Sequence, residues 1–259
     1  MMGVVNVTPD SFSDGGKFLD ADVAVAHGLR LVEEGAAIID VGGESTRPGA
    51  EPVSAQEELR RVIPVIERLA EATSAVVSVD TSKPEVMRAA ANAGAGLIND
   101  VRALLAPGAM KAAAESGCAV CLMHMQGEPR TMQQAPSYGD VVNEVAAFLL
   151  ARVESCRAAG IAADKITIDP GFGFGKTVAH NLELLRRLTE LTQGEWPVLV
   201  GLSRKSMLKS ILGRAPQDRL HGSVALAVVA VLNGARIVRA HDVAATVDAI
   251  KTVMAVREG

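Results

Sequence analysis

Cysteine is scarce in this chain, with three among 259 residues. A count that is odd and sparse excludes a disulfide framework and points to a reducing compartment. Long hydrophobic runs are lacking too. The longest, Val224–Leu232, is too short to cross a bilayer, and no basic segment leads into an apolar signal core at the N-terminus. A cytoplasmic protein is therefore expected. Charge of one sign is not in excess: 26 Lys and Arg against 30 Asp and Glu leave a net charge of −4. That balance excludes a global electrostatic footprint for nucleic acid and leaves room only for a local cationic pocket holding an anionic substrate. Zinc-ligand spacing, a serine nucleophile elbow and a Walker loop are absent. Cys118-x-x-Cys121 lies in a strand-like run, where residues three apart point to opposite faces, so the pair neither chelates nor bridges.

What is present is a rhythm. Eight short β-rich runs recur as Gly3–Val7, Ala37–Val41, Val76–Asp80, Leu97–Asn99, Cys118–Met123, Ile166–Asp169, Val198–Gly201 and Ile237–Arg239. Between them lie segments with helical apolar spacing, such as Leu59, Val62, Ile63, Ile66 and Leu69. Gly35, Gly160 and Gly234 each close such a segment ahead of the next strand, as helix C-terminal residues do. Strands alternating with helices pair in parallel through right-handed crossovers. Eight units predict a single-domain (β/α)8 TIM barrel over residues 1–259, with its active site at the C-terminal ends of the strands. An open doubly wound sheet would carry a Gly-rich turn after the first strand, where this chain has Asn6-Val7-Thr8-Pro9-Asp10-Ser11. Pro64 interrupts the second helical segment, so a kink or a shortened helix is expected there. The Gly- and Pro-rich stretches Thr8–Leu19 and Gly42–Ser54 follow strand ends, where barrel loops carry function.

Six polar residues, Asn6, Asp80, Asn99, Asp169, Lys205 and His241, stand at or just beyond strand ends. Two readings compete for the carboxylates. Asp80 would cap the helix that Pro84 opens, and Asp169 would form the turn before Pro170-Gly171; or both would join Asn6 and Asn99 in an acceptor-rich pocket for a flat, donor-rich heterocycle. Ser203-Arg204-Lys205-Ser206 and Arg239-Ala240-His241-Asp242 form a second, cationic cluster after strands seven and eight, the usual anion corner of the fold. Ser206 is placed at the opening turn of a helix. His124 is read as structural.

With these residues in place, the chain resembles the dihydropteroate synthases, the pterin-joining enzymes of folate biosynthesis. The resemblance runs through Asn6 to Gly16, Asp40 to Gly49, Ser78 to Thr81, Ile98 to Asp100, Asp169 to Lys176 and Ser203 to Ser206, nearly end to end. It implies that Asp80, Asn99, Asp169 and Lys205 hold the pterin and that Asp80, Asp169 and Lys205 are catalytic. It implies further that Asn6 coordinates Mg²⁺ on the diphosphate, and that Thr46, Arg239 and His241 contact that diphosphate. Phe12, Thr46, Arg47, Pro48, Phe174 and Ser206 would line the 4-aminobenzoate site. The implied reaction is dissociative: carbon–oxygen cleavage yields a delocalised pterin cation, which the aniline nitrogen traps. A homodimer and sensitivity to sulfonamides are also implied. Family members carry a hairpin before the first strand, whereas Met1-Met2 here leads straight into Gly3. The barrel floor is thus expected to be open or closed differently, unless the start site has been set too far downstream. Two rivals remain open at this point: a methyltetrahydrofolate-dependent methyltransferase, and a pterin-binding module without catalysis.

Overall fold

Each strand is apolar on both sides near its start, which calls for burial on both faces, and here the parallel sheet meets it as a cylinder inside a ring of helices. The computed structural model describes residues 1–8, 17–45, 51–128 and 131–258, with side chains from 21 in the second span and to 257 in the last. Eight parallel strands are β1 Met2–Asn6, β2 Ile38–Gly42, β3 Val76–Asp80, β4 Leu97–Asp100, β5 Ala119–Met123, β6 Ile166–Asp169, β7 Leu199–Val200 and β8 Ile237–Ala240. The helices are α1 Lys17–Glu33, α2 Ala55–Ala72, α3 Pro84–Asn92, α4 Ala109–Ser116, α5 Val141–Ala158, α6 Val178–Arg186, α7 Thr189–Thr192, α8 Ser206–Leu212, α9 Leu220–Leu232 and α10 Val243–Glu258. The predicted barrel is the observed one. None of the described helices is long and apolar enough to cross a membrane.

Strand pairing is uneven. The β1–β2 register runs unbroken from Met2↔Ile38 to Asn6↔Gly42, and comparable ladders continue through β6. By contrast, β8 meets β1 only at Met2↔Arg239 and Gly3↔Ala240. It meets β7 only at Leu199↔Ile237 and Val200↔Val238. A lone bridge, Ile168↔Val198, closes the circle between β6 and the residue before β7.

Alternation along the strands sorts the core into two parts. Val5, Ile39, Val41, Val77, Val79, Ile98, Val120, Leu122, Ile166 and Ile168 belong to the main cluster between sheet and helices. Met2, Leu97, Cys121 and Leu199 form a separate cluster, flanked by Ile38, Ala119 and Ile237. These are residues of the opposite parity and fill the lower interior of the barrel. Cys118 and Cys121 are free and buried, as expected for a pair that does not bridge.

Gly35, Gly160 and Gly234 follow their helices with φ of 103°, 93° and 93°, the left-handed turn expected of them. The expectation of a shortened helix at Pro64 fails, because α2 runs through it for 18 residues. Pro64 stands on the exposed face of α2, so the carbonyl its ring deprives of an amide faces water. Val62, Val65, Ile66 and Leu69 bury the other face, and Ser54 Oγ caps the start by accepting from Glu57 N at 3.2 Å.

Candidate active site

Residues of the inner parity turn polar toward the C-terminal ends of the strands, and they meet there. Asp40, in the middle of β2 and fully buried, is the hub. Ser78 Oγ donates to its Oδ1 at 2.6 Å, while Asn99 Nδ2 at 3.0 Å and Arg239 Nε at 2.6 Å donate to its Oδ2. Arg239 Nη2 donates to Asp80 Oδ2 at 3.0 Å. A buried carboxylate needs donors on this scale to remain charged. Sequence reasoning passed over Asp40 as a site residue; a charged residue inside an apolar strand was the available signal. It also separated Arg239 from the carboxylates, whereas the guanidinium lies between two of them. Asp80 does not cap α3, since Lys83 occupies that position.

The charges tune one another. Burial pushes Asp80 up to about 7, helped by the Asp40 charge and opposed by Arg239. Asp169 is raised by burial and held back by the amide of Gly171 and by Lys205. Burial brings Lys205 down to about 8, with Arg239 adding to the fall and Asp169 resisting it. Asp40, Asp80, Asn99, Asp169, Lys205 and Arg239 therefore share one electrostatic neighbourhood, which brings four of the six strand-end residues together with two that the pattern did not include.

The β6 loop supplies the other wall. Asp169 Oδ1 accepts from Gly171 N at 2.7 Å, so the turn-forming reading of Asp169 holds. Gly171 has φ +69°, and a Cβ there would lie 1.9 Å from the carbonyl oxygen of His124. Only glycine lets the two loops approach so closely. Phe174 lies under Lys205, whose Nζ is 4.1 Å from the ring centroid. Lys176, quoted in the sequence only as the end of a motif, is buried among the carbonyls of this loop and beside His124. His124 is buried, with its ring packed against Tyr138 and Phe148.

Next to this cluster, a cavity of about 470 Å³ is lined by Asn6, His27, Arg30, Arg204 and His241 among others. His241 Nδ1 is 3.0 Å from Ser203 Oγ. Burial, reinforced by Arg239 and Arg204, takes its pKa down to about 3, so the imidazole is neutral. Arg204 has φ +58° and pairs through Nε and Nη2 with Asp242 at 3.1 and 2.6 Å. Strain of this kind in a non-glycine residue clusters at functional sites. Ser206 opens α8 and is exposed.

A second cavity, about 920 Å³, reaches from Asp80 past Lys83, Glu58 and Glu44 to Arg102. Lys83 Nζ binds both Glu44 and the fully buried Glu58. Arg61 Nη1 donates to Gly43 O at 2.8 Å, so the base of the β2 loop is fastened to α2. Phe12, Thr46, Arg47 and Pro48 lie outside the described residues.

The geometry joins a cluster of carboxylates and an amide to Arg239, Lys205 and the cavity beside His241. The family model for pterin binding enzymes matches residues 2–241. A dihydropteroate synthase of Escherichia coli (strain K12) is 55% identical over 255 residues, covering 98% of this chain and 90% of the relative. The Yersinia pestis dihydropteroate synthase solved with a sulfonamide drug matches with a TM-score of 0.95 and 54% identity, over 100% of this chain and 94% of that one. The Xanthomonas albilineans enzyme solved with 4-aminobenzoic acid gives a TM-score of 0.94 at 56% identity, over 99% and 92%. The chain belongs to the pterin-binding enzymes and, among them, to the dihydropteroate synthases.

Proposed function

We propose that the chain condenses (7,8-dihydropterin-6-yl)methyl diphosphate with 4-aminobenzoate, giving 7,8-dihydropteroate and diphosphate in folate biosynthesis. The observation that carries this reading is the meeting of Asp40, Asp80, Asn99, Asp169, Lys205 and Arg239 at one rim. In it, Asp80, Asn99 and Asp169 take the N–H donors of the pterin and Lys205 takes an acceptor. Arg239 commits Nε and Nη2 to Asp40 and Asp80; its remaining nitrogen and neutral His241 face the diphosphate.

The chemistry asks for no protein nucleophile. The methylene carbon–oxygen bond breaks and its electron pair leaves with the diphosphate, while positive charge spreads over the ring. Fixed carboxylates at Asp80 and Asp169 stabilise that charge in a site already arranged for it. The aniline lone pair of 4-aminobenzoate then forms the carbon–nitrogen bond, and the nitrogen loses a proton. Phe174 and Ser206, with Phe12, Thr46, Arg47 and Pro48, line the second substrate. Exclusion of water during the cation's lifetime falls to the loops after β1 and β2.

Mg²⁺ fits the donor set. Among the described residues no cluster of three His, Cys, Asp or Glu could hold a metal, yet Mg²⁺ keeps most of its water and needs only one or two protein oxygens beside phosphate. Asn6, which lines the smaller cavity, would supply one such oxygen. When bound, the ion would neutralise charge on the leaving diphosphate. A homodimer is supported by the half-apolar face of α9, where Val229 and Leu232 are exposed. Three free, buried cysteines suit the cytoplasm.

The test is a turnover assay with the pterin diphosphate, Mg²⁺ and 4-aminobenzoate. Release of one diphosphate per dihydropteroate, inhibited by a sulfonamide competing with 4-aminobenzoate, is expected. Methyl transfer from methyltetrahydrofolate without diphosphate release would move the chain to the methyltransferase reading, and pterin binding without turnover would reduce it to a binding module.

A further inference from the structure

The Lys176 amine has 2% of its surface exposed, outside the pocket and without a carboxylate in contact, and burial brings its pKa down to about 7. A buried cation is costly unless acceptors surround it. Here they do: Nζ lies 3.0 Å from Gly171 O, 3.1 Å from Phe174 O and 3.0 Å from His124 Nδ1, with His124 O at 3.5 Å. Those carbonyls point at one spot because Gly171, Gly173 and Gly175 all take positive φ, folding the loop around the ammonium. Without a cation at the centre, their dipoles would repel one another.

The contacts form a closed circuit. Gly171 N donates to Asp169 Oδ1, Lys176 Nζ donates to Gly171 O and to His124 Nδ1, and His124 N donates at 2.9 Å to Asp169 O. A second branch passes through Phe174, whose carbonyl Lys176 holds and whose ring underlies Lys205 Nζ. One side chain thus fixes the direction of a carboxylate, a ring and, through the ring, a second ammonium. We propose that Lys176 is a positioning residue for the pterin site: by bridging Gly171, Phe174 and His124 it aims Asp169 at the pterin and, in its protonated form, adds positive charge to that carboxylate's surroundings. The proposal rests on the synthase reading only for what Asp169 holds.

The groups acting on Asp169 are the Gly171 amide, Lys205, Lys176 and Arg239. Removing Lys176's charge removes one of three cations, so the Asp169 carboxyl should titrate higher. Carboxyl ¹³C NMR, with Asp169 assigned through Asp169→Asn, reads this without any ligand. In Lys176→Met, Asp169 is expected to move up by about one pH unit, and the acid limb of kcat/KM for the pterin diphosphate is expected to follow it. Lys176→Arg, which keeps the charge, should leave that limb near the wild-type position. Lys176→Gln keeps an N–H donor without the charge and serves if the Met variant fails to fold; it should shift Asp169 in the same direction. A folded Met or Gln variant with Asp169 unmoved, or with lower activity but an unshifted acid limb, would reduce Lys176 to a purely structural residue and overturn the proposal. Absence of diphosphate release by the wild type would sink the synthase reading and leave the NMR result to decide this one.

Discussion

Replacing Asp40 by Asn keeps the shape of the side chain and removes the charge on which Ser78, Asn99 and Arg239 converge. An asparagine there must turn an amide toward at least one donor. Breaking a buried ion pair by removing one partner costs about 3–5 kcal/mol. Arg239 retains Asp80 at 3.0 Å, which reduces the expected loss to about 2–3 kcal/mol at pH 8. The loss should depend on pH, with a definite sign. Asp80 titrates near 7 in the folded chain against 3.8 when exposed, so its contribution to wild-type stability is present at low pH and is lost as pH rises through about 7. The Asp40 charge is the second cause of that upward shift, after burial. Asp40→Asn should therefore lower Asp80 by about one unit, and the variant's deficit should be about 1–2 kcal/mol larger at pH 5.5 than at pH 8. Urea unfolding at the two pH values reads the difference. In the same variant, the acid limb of pterin binding, which needs ionised Asp80, should move to lower pH. A deficit equal at both pH values, or larger at pH 8, would show that Asp40 and Asp80 do not share Arg239 as described.

Two further outcomes are expected. Gly171→Ala places a Cβ 1.9 Å from a backbone oxygen at φ +69°, so beyond the ~1–2 kcal/mol of a left-handed alanine the loop must move by more than an ångström, and kcat should fall about 100-fold. Gly117→Ala, with φ +70° and nothing within 4 Å of the new methyl, is the control and should lose only that backbone cost in thermal unfolding. Lys83→Met leaves Glu58 buried without its cation, which should cost about 3–5 kcal/mol at neutral pH, most of it recovered in Lys83→Met/Glu58→Leu by the same unfolding measurement.

The barrel was legible because its outer residues are valines and isoleucines at alternate positions and its helices end on glycines such as Gly35 and Gly234. Site residues that break an apolar run at its end, Asp80, Asn99 and Asp169, stood out for the same reason. Asp40 did not, because it sits inside a run, at the inner parity of Ile38 and Gly42; a charged residue enclosed by apolar neighbours was the signal that marked it. The pairing of Arg239 with Asp40 spans 199 positions in sequence and arises only when the cylinder closes. Lys176 was hidden by its loop, since nothing local says that three carbonyl groups and an imidazole will converge on its ammonium. Pro64 did not shorten its helix, because a proline's effect depends on which face it occupies, and on the wet face the lost hydrogen bond is taken up by water.

The uneven lacing of the strands gives the two halves of the cavity different stiffness. Asp40, Asp80, Asn99 and Asp169 stand on the arc from β2 to β6, where ladders are continuous. Arg239 and His241, and Lys205 just beyond β7, stand on the sparsely bonded arc. A stiff wall discriminates by fit, and a compliant one can follow a departing group as its charge and distance change. On the proposed reading the three ring acceptors Asp80, Asn99 and Asp169 would stand on the stiffer side and Arg239 and His241 on the more compliant one. Tightening the seam between the first and last strands is therefore expected to slow diphosphate release more than it weakens pterin binding.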